Sequence, residues 1–286
     1  MSITVGLNAG ALRVTRELNN ASNALNASFV KLSSGQRITK GSDDAAGLAV
    51  AESLRLNTRI AGVALRNAND GISVVSIADN ALSQISNILQ RQSELATQAA
   101  NGTFSMSQRS VIAAEFNDLG SEVERIATTT VFNGVALLSG SNQIAFQVGF
   151  DSTSVSQLTV QNVTGTLQAL GLAATGSSAL TVSLTGTSTQ FAQSAARAAL
   201  TAISGAMNSV TSNRGTLGVL ESRLNSQINN LSVARENAIA AETRIRDLDV
   251  AEEAATVTRL SILRQVGSAM YAQANQAPAL ALSLLQ

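Results

Sequence analysis

Cysteine, histidine and tryptophan are all missing from this chain, and proline and tyrosine occur once each. Without cysteine there is no disulfide, no thiolate metal site and no thiol nucleophile. Without histidine the commonest metal ligand and the commonest acid–base group near neutral pH are gone as well. A Ser-His-Asp triad and a His-based zinc centre each lack a required residue. No glycine-rich phosphate loop stands between a strand and a helix. The carboxylate pair Asp43-Asp44 follows Ser42 at what reads as a helix start. Ser42 there serves as N-cap and the carboxylates face the positive dipole end, which is capping rather than catalysis. The expectation is no enzyme, no cofactor-binding residue and no metal site.

Aromatic residues make up only 3% of a chain that is 45% hydrophobic. Aromatics supply the large buried areas of thick cores, so Ala, Leu, Ile and Val here suit thin helical layers. The single proline, Pro278, leaves the preceding chain free to run in long helices. Nineteen basic and nineteen acidic residues cancel, and no basic cluster is interleaved with aromatics, so nucleic acid is not an expected partner. No run approaches the roughly 18 apolar residues of a membrane-spanning helix, which speaks against membrane insertion. The first ten residues lack the basic and apolar regions of a cleaved secretory signal. Export, if it occurs, is expected by another route.

What the chain does have is helical periodicity at both ends. Leu7, Ala11, Val14, Leu18, Ala21, Leu25 and Leu32 follow heptad steps, as do Leu217, Leu220, Leu224, Leu231, Ala234, Ala238, Ala241, Ile245 and Leu248. Such stripes lie on one helix face and require another helix against them, so the termini are expected to meet while the middle loops out. Leu260, Leu263 and Met270 join Leu7, Val14, Leu18, Leu25 and Leu32 as an expected assembly stripe. A first helix is predicted over 4–34, stopped by Gly35. A second runs from about Ser42 to Ala100, with Val75, Ala78, Leu82, Ile85 and Leu89 on a face that Val74, Ile77, Ala81, Ile88 and Leu95 widen enough for two neighbours. A third spans about Ser107–Thr128 with Val111, Ala114, Leu119, Val123 and Ile126 as its stripe.

The period then changes. Ile144, Phe146, Val148 and Phe150 alternate as in a strand, and Val155, Leu158 and Val160 suit the returning strand of a hairpin at about 142–161. The Ser/Thr/Gly-rich stretch 162–190, with short alternation at Leu180, Val182 and Leu184, reads as a surface excursion rather than a core. Helix is expected again from Phe191 to about Ala274, with a break near Asn213–Gly215.

Several blocks in order resemble bacterial flagellin. They are Leu32-Ser33-Ser34-Gly35-Gln36-Arg37-Ile38, Asp43-Asp44-Ala45-Ala46-Gly47-Leu48-Ala49, Arg66-Asn67-Ala68-Asn69-Asp70-Gly71-Ile72-Ser73, the run from Leu89 to Thr103, Phe132-Asn133-Gly134-Val135, and Ala272 through Pro278 with the ending Leu282 to Gln286. Together they cover about 1–160 and 195–286. The resemblance implies a mainly α protein: an inner coiled-coil layer from 1–41 and 250–286, and a second layer, 42–249, of helical bundle plus β-hairpin. Only 162–190 occupies the place of outer domains, so the chain looks like a short form.

The resemblance further implies a subunit that polymerises into the extracellular flagellar filament for swimming. It implies export through the flagellar type III apparatus without a cleaved signal peptide. Its partners would be itself, an export chaperone on the C-terminal arm, and the filament cap and hook-associated junction proteins. Arg91, Leu95 and Glu115 match positions that many flagellins present to Toll-like receptor 5 of animal hosts, and Gln90 and Gln98 flank them. The same residues are expected to serve subunit contacts in the filament. The alternatives are a hook–filament junction protein, which resembles flagellin at its ends, and a secreted helical effector.

Overall fold

The computed structural model describes residues 8–140, 143–151, 153–160, 163–186 and 188–283, the last seven by their backbone alone. The described chain is mainly helical. Its long helices are α1 (Ala9–Ser34), α2 (Ala45–Ala100), α3 (Met106–Thr129), α4 (Thr189–Arg246) and α5 (Val250–Ser283). Between α3 and α4 lie two antiparallel hairpins, β1 (Val131–Phe132) with β2 (Val135–Ala136), and β3 (Ile144–Gln147) with β4 (Gln157–Val160). Two compact units result. One contains residues up to Thr58 and from Glu236 onward, and the other is Arg59–Arg235.

In the first unit α1 lies antiparallel on α5. Asn8 caps α1, its Oδ1 accepting from the Ala11 amide at 3.0 Å, and Gly35 ends the helix in the left-handed region at φ 68°. That conformation favours glycine. The expected α1 stripe forms the seam: Leu25 is buried, and Val14, Leu18, Ala21 and Leu32 are half-buried. Leu7 lies outside the described residues.

The partner of α1 is not the stripe from Leu217 to Leu248. Leu217, Leu220 and Leu224 belong to the core of the second unit, and Leu248 lies beyond the end of α4. The helix is unbroken at Asn213–Gly215 and breaks instead at 247–249. A glycine within a helix costs only about 1 kcal/mol. At Asp249, by contrast, a carboxylate accepts from the Ala251 and Glu252 amides at 2.9 and 3.2 Å, starting α5 afresh.

The start of α2 also differs from expectation. Asp44, not Ser42, is the cap: its Oδ1 accepts from Gly47 N at 2.8 Å, and its carbonyl takes the Leu48 amide at 3.0 Å. Asp43 folds the preceding turn by accepting from the Thr39 and Lys40 amides and the Thr39 hydroxyl, each at 3.0 Å. Those bonds, the Thr39 amide foremost, hold its carboxyl below the usual value. Both aspartates satisfy backbone, as the capping reading requires.

In the second unit the expected α2 face is buried: Val75, Ala78, Leu82, Ile85 and Leu89 all enter one core with α3 and α4. Of the expected α3 stripe Val123 is buried and Leu119 and Ile126 pack against the core, but the N-terminal half is turned from expectation, with Val111 and Ala114 exposed. The core face of α3 is Ile112, Ala113, Phe116, Gly120, Val123 and Ala127, while Val111 is 69% exposed. Phe116 is the large residue that anchors α3, and it fixes the phase that the smaller Val111 and Ala114 suggested differently. The β3–β4 hairpin has the register Ile144↔Val160 to Gln147↔Gln157, and the expected end residues 142 and 161 lie outside the described residues. Asn67 of α2 donates to Gln147 O at 3.0 Å, and Gln227 of α4 to Val148 O at 3.3 Å, docking the hairpin on both helices. Gly71 makes room: a Cβ there would stand 3.2 Å from Leu224 and 3.3 Å from Phe146.

The 162–190 stretch is not merely a surface excursion, because Val163, Leu167, Leu170, Leu172 and Leu184 are all core residues. Glu124 of α3 accepts the Leu167 amide at 2.8 Å, and Asn213 of α4 donates to Thr164 O at 2.8 Å. Leu180 sits over Gly120 so closely that a Cβ there would meet its Cδ1 at 2.0 Å. Ser/Thr/Gly composition hides Val163, Leu167, Leu170 and Leu172, which match no helix or strand period, whereas the alternation of Leu180, Val182 and Leu184 is legible and these three do pack on the core. Leu172→Ala is expected to cost about 2–5 kcal/mol, read as a lower melting temperature, whereas exposed Ser178→Ala should leave it unchanged.

Candidate functional site

Two surfaces carry the residues singled out from sequence, one on each unit. On the first unit α1 and α5 enclose a groove of about 570 Å³ lined by Val14, Leu18, Ala21, Ala24, Leu260, Leu263, Gly267 and Met270 among others. The expected assembly stripe is therefore divided. Leu25 is sealed in the seam, and Leu18 and Leu260 are half-buried. Leu263 and Met270 point outward, 51% and 54% exposed. Val266 also lines the groove, and Ile262 and Tyr271 on α5 and Leu12, Phe29 and Val30 on α1 are exposed as well. Single exposed apolar residues are ordinary, but a cluster this dense marks a contact surface. The sequence reading missed these flanking residues, although an α5 that is apolar on several faces was the available signal.

On the second unit α2 and α3 bring together two of the residues expected there, Arg91 and Glu115. Arg91 donates from Nε and Nη2 to Glu115 Oε1 at 3.1 and 2.9 Å, and from Nη1 to Glu94 Oε2 at 2.9 Å. Bonds to Glu94 and then Glu115 raise the guanidinium pKa above its ordinary value. The pair is exposed, so its role is a fixed charged shape more than stability. Gln98 is exposed on α2 one heptad beyond Arg91, and Gln90 is exposed on the side of α2 that faces α4, where it lines a groove with Ile203, Ser204, Met207 and Asn208. Leu95 is not part of this surface: at 2% exposure it lies in the core. Four residues turn a helix by about 40° beyond a full circle, and here that turn carries Leu95 under α3.

Neighbouring residues hold this surface in place. Gln92, fully buried, donates to Phe116 O at 3.0 Å and ties α2 to α3. Arg109 of α3, also fully buried, donates to the carbonyls of Ala99, Asn101 and Phe104 at 2.5, 2.7 and 3.1 Å. It thereby caps the end of α2 and fixes the turn between the helices. Nothing local in the sequence marks Arg109 for that task. Among the described residues no cluster of acidic side chains suited to a metal ion occurs.

Residues 5–143 match the family model described as the bacterial flagellin N-terminal helical region, and residues 200–285 match that of the flagellin C-terminal helical region. The chain belongs to the bacterial flagellin family. It is 40% identical to a flagellin of Halalkalibacterium halodurans over 90% of each chain, and 38% identical to flagellin of Bacillus subtilis over 98% of each. Bacillus cereus flagellin, solved by crystallography, is 29% identical over 58% of this chain and 88% of that one, with a TM-score of 0.48.

As a flagellin, the chain is the structural, non-enzymatic subunit of the extracellular flagellar filament, and it assembles with copies of itself. That decides against the junction-protein and effector alternatives. Among the described residues no helix is long and apolar enough to cross a membrane. The flagellin blocks read from sequence now have physical roles. Asn67 and Gly71 seat the hairpin, Arg91 and Gln92 join α2 to α3, and Ala99 and Asn101 receive Arg109.

Proposed function

We propose that residues 1–41 and 250–286 form the inner coiled-coil layer of the filament, with 42–249 as the layer around it, and that the arms gain their final order on neighbouring subunits. The observation that supports this is the apolar surface of α1 and α5 left uncovered by their own pairing. A helix pair that exposes apolar residues on its outer faces is completed by further helices. Hydrogen exchange tests the reading. Amides of residues 9–32 should exchange quickly in the isolated subunit and slowly in filaments, and strong protection in both would refute it.

The same arms suit the remaining partners. An export chaperone would cover the open face of α5 before assembly, and the cap and hook-associated junction proteins would meet the arms at the filament ends. Passage unfolded through the flagellar type III apparatus, without a cleaved signal peptide, fits arms that become ordered late.

A second reading concerns Arg91 and Glu115, with Gln98 a heptad away and Gln90 toward α4. The exposed, ion-paired surface of Arg91 and Glu115 serves contacts between filament subunits, and in a free subunit it offers a preorganised charged patch to Toll-like receptor 5. Arg91→Ala or Glu115→Ala should weaken binding of the receptor ectodomain by about thirtyfold or more, the range of a charged hot spot. Leu95→Ala should instead lower the melting temperature, because Leu95 is buried. Unchanged receptor affinity in both charge variants would remove this reading.

A further inference from the structure

The pairing of α1 with α5 poses a register problem. The α1 seam repeats by heptads, and on α5 the less exposed positions Glu253, Leu260, Gly267 and Ala274 also stand seven apart. Sliding one helix by a heptad therefore keeps these positions on the seam, exchanging Leu260, Gly267 and Ala274 among themselves, with Glu253 at the clasp end the one unlike member of the four. Leu18 rests over Gly267, where a Cβ would come 3.3 Å from its Cδ1, but Ala274 offers nearly as shallow a seat. Apolar seams of this kind specify register poorly unless a polar contact is added. The covalent link does not supply it either. Ten residues, 35–44, separate α1 from α2, slack enough for a slide of about 10 Å.

A polar contact is present where the two arms leave the rest of their unit. Arg37 N donates to Arg246 O at 2.7 Å and Leu248 N to Gly35 O at 3.1 Å, making a short antiparallel bridge across Gln36 and Asp247. The Arg37 guanidinium adds a bond from Nη2 to Ile245 O at 2.7 Å. Ile38, buried, anchors the next residue of the connector. At the far end Asn8 Nδ2 donates to Ala274 O at 2.8 Å. From bridge to far contact α1 runs from 35 back to 8 and α5 from 248 on to 274, nearly equal lengths, so one register holds throughout.

We infer that the Gly35–Arg37/Arg246–Leu248 clasp sets the register of the two arms, with Arg37 as a positioning residue for assembly. Its backbone bonds need no particular side chain, but the Arg37 guanidinium reaches Ile245 O only when the connector and the end of α4 are in this alignment. The clasp presents both arms to neighbouring subunits in one alignment rather than several.

The native absence of cysteine makes the test direct. A Cβ on Gly267 would stand 4.0 Å from that of Leu18, within the range for a disulfide. Full-length chains carrying Leu18→Cys with Gly267→Cys report the observed register. Leu18→Cys with Leu260→Cys, or with Ala274→Cys, reports a slip of one heptad either way. Each pair is oxidised under assembly conditions in mixed isotope-labelled and unlabelled protein, so that only disulfides within one chain are counted. With the clasp intact the native pair should exceed either slipped pair by about tenfold. Adding Arg37→Ala and Leu248→Pro, which remove the guanidinium and one bridging amide, should bring the ratio close to one, while Arg37→Lys keeps most of the preference. A native pair still about tenfold ahead without the clasp would overturn the inference. So would equal loss of all three pairs, since the clasp would then govern pairing itself and not register.

Discussion

Deleting residues 1–34 and 250–286 is expected to abolish filament growth while leaving the melting transition of the Arg59–Arg235 unit in place. The deleted helices expose Leu12, Phe29, Val30, Ile262, Leu263, Val266, Met270 and Tyr271. Covering the remaining half of eight such side chains is worth roughly 6–12 kcal/mol gross per subunit. Association and ordering take back part of that, yet even half corresponds to about a hundredfold or more in critical concentration. Loss of the neighbours' matching surface compounds the effect at each addition. Salt-induced polymerisation followed by electron microscopy and pelleting measures it. Long filaments growing from the truncated chain at ordinary concentrations would show that the arms are not the main adhesive.

Replacing Arg109 by alanine should be as damaging as a large-to-small substitution in the core of the second unit, costing about 3–5 kcal/mol. Its guanidinium is fully buried and serves three carbonyls, those of Ala99, Asn101 and Phe104. Carbonyls at a helix end have no partner within the helix, and each left unsatisfied away from water costs about 1–3 kcal/mol. The positive charge also sits at the negative end of the α2 dipole. Arg109→Met refills most of the space without donors and should recover only part of the loss, separating the void from the unpaired carbonyls. Thermal denaturation followed by circular dichroism decides between them. A loss below about 1 kcal/mol for Arg109→Ala would mean that water satisfies those carbonyls freely.

Long periodic stripes were the legible part of this fold. The α2 face through Val75, Leu82 and Leu89, the Gly35 stop and the middle of the β3–β4 alternation stand as read, because each is a local pattern with one physical solution. Phe150 and Val155, expected in the strands, lie instead in the connection between them, 45% and 90% exposed. Which stripe pairs with which was not legible. The leucines at 217–224 look like a partner for the N-terminal helix, yet only packing assigns them to the hairpin and α2. Val163, Leu167, Leu170 and Leu172 escaped because irregular segments have no period, and the seating of their segment depends on Glu124 and Asn213 far along the chain. The β1–β2 hairpin did have a signal. Asn133-Gly134 is a favoured pair for a two-residue turn, and both residues do have positive φ, 49° and 79°. Of the surface residues, Arg91 and Glu115 meet as the resemblance implied, and Leu95 does not join them because four steps along a helix preserve a face only approximately.

The bridge between Ala173 and Leu180, with the Thr181 amide bonded to Leu172 O at 3.0 Å, has a practical consequence. Chain leaving at Ala174 and returning at Ala179 departs from and arrives at almost the same point. A folded guest whose own ends lie close together could be spliced there at little loop-closure cost, since the fastenings at Leu167 and Leu184 lie outside the cut. Cargo displayed at that position would leave the helical scaffold beneath it undisturbed.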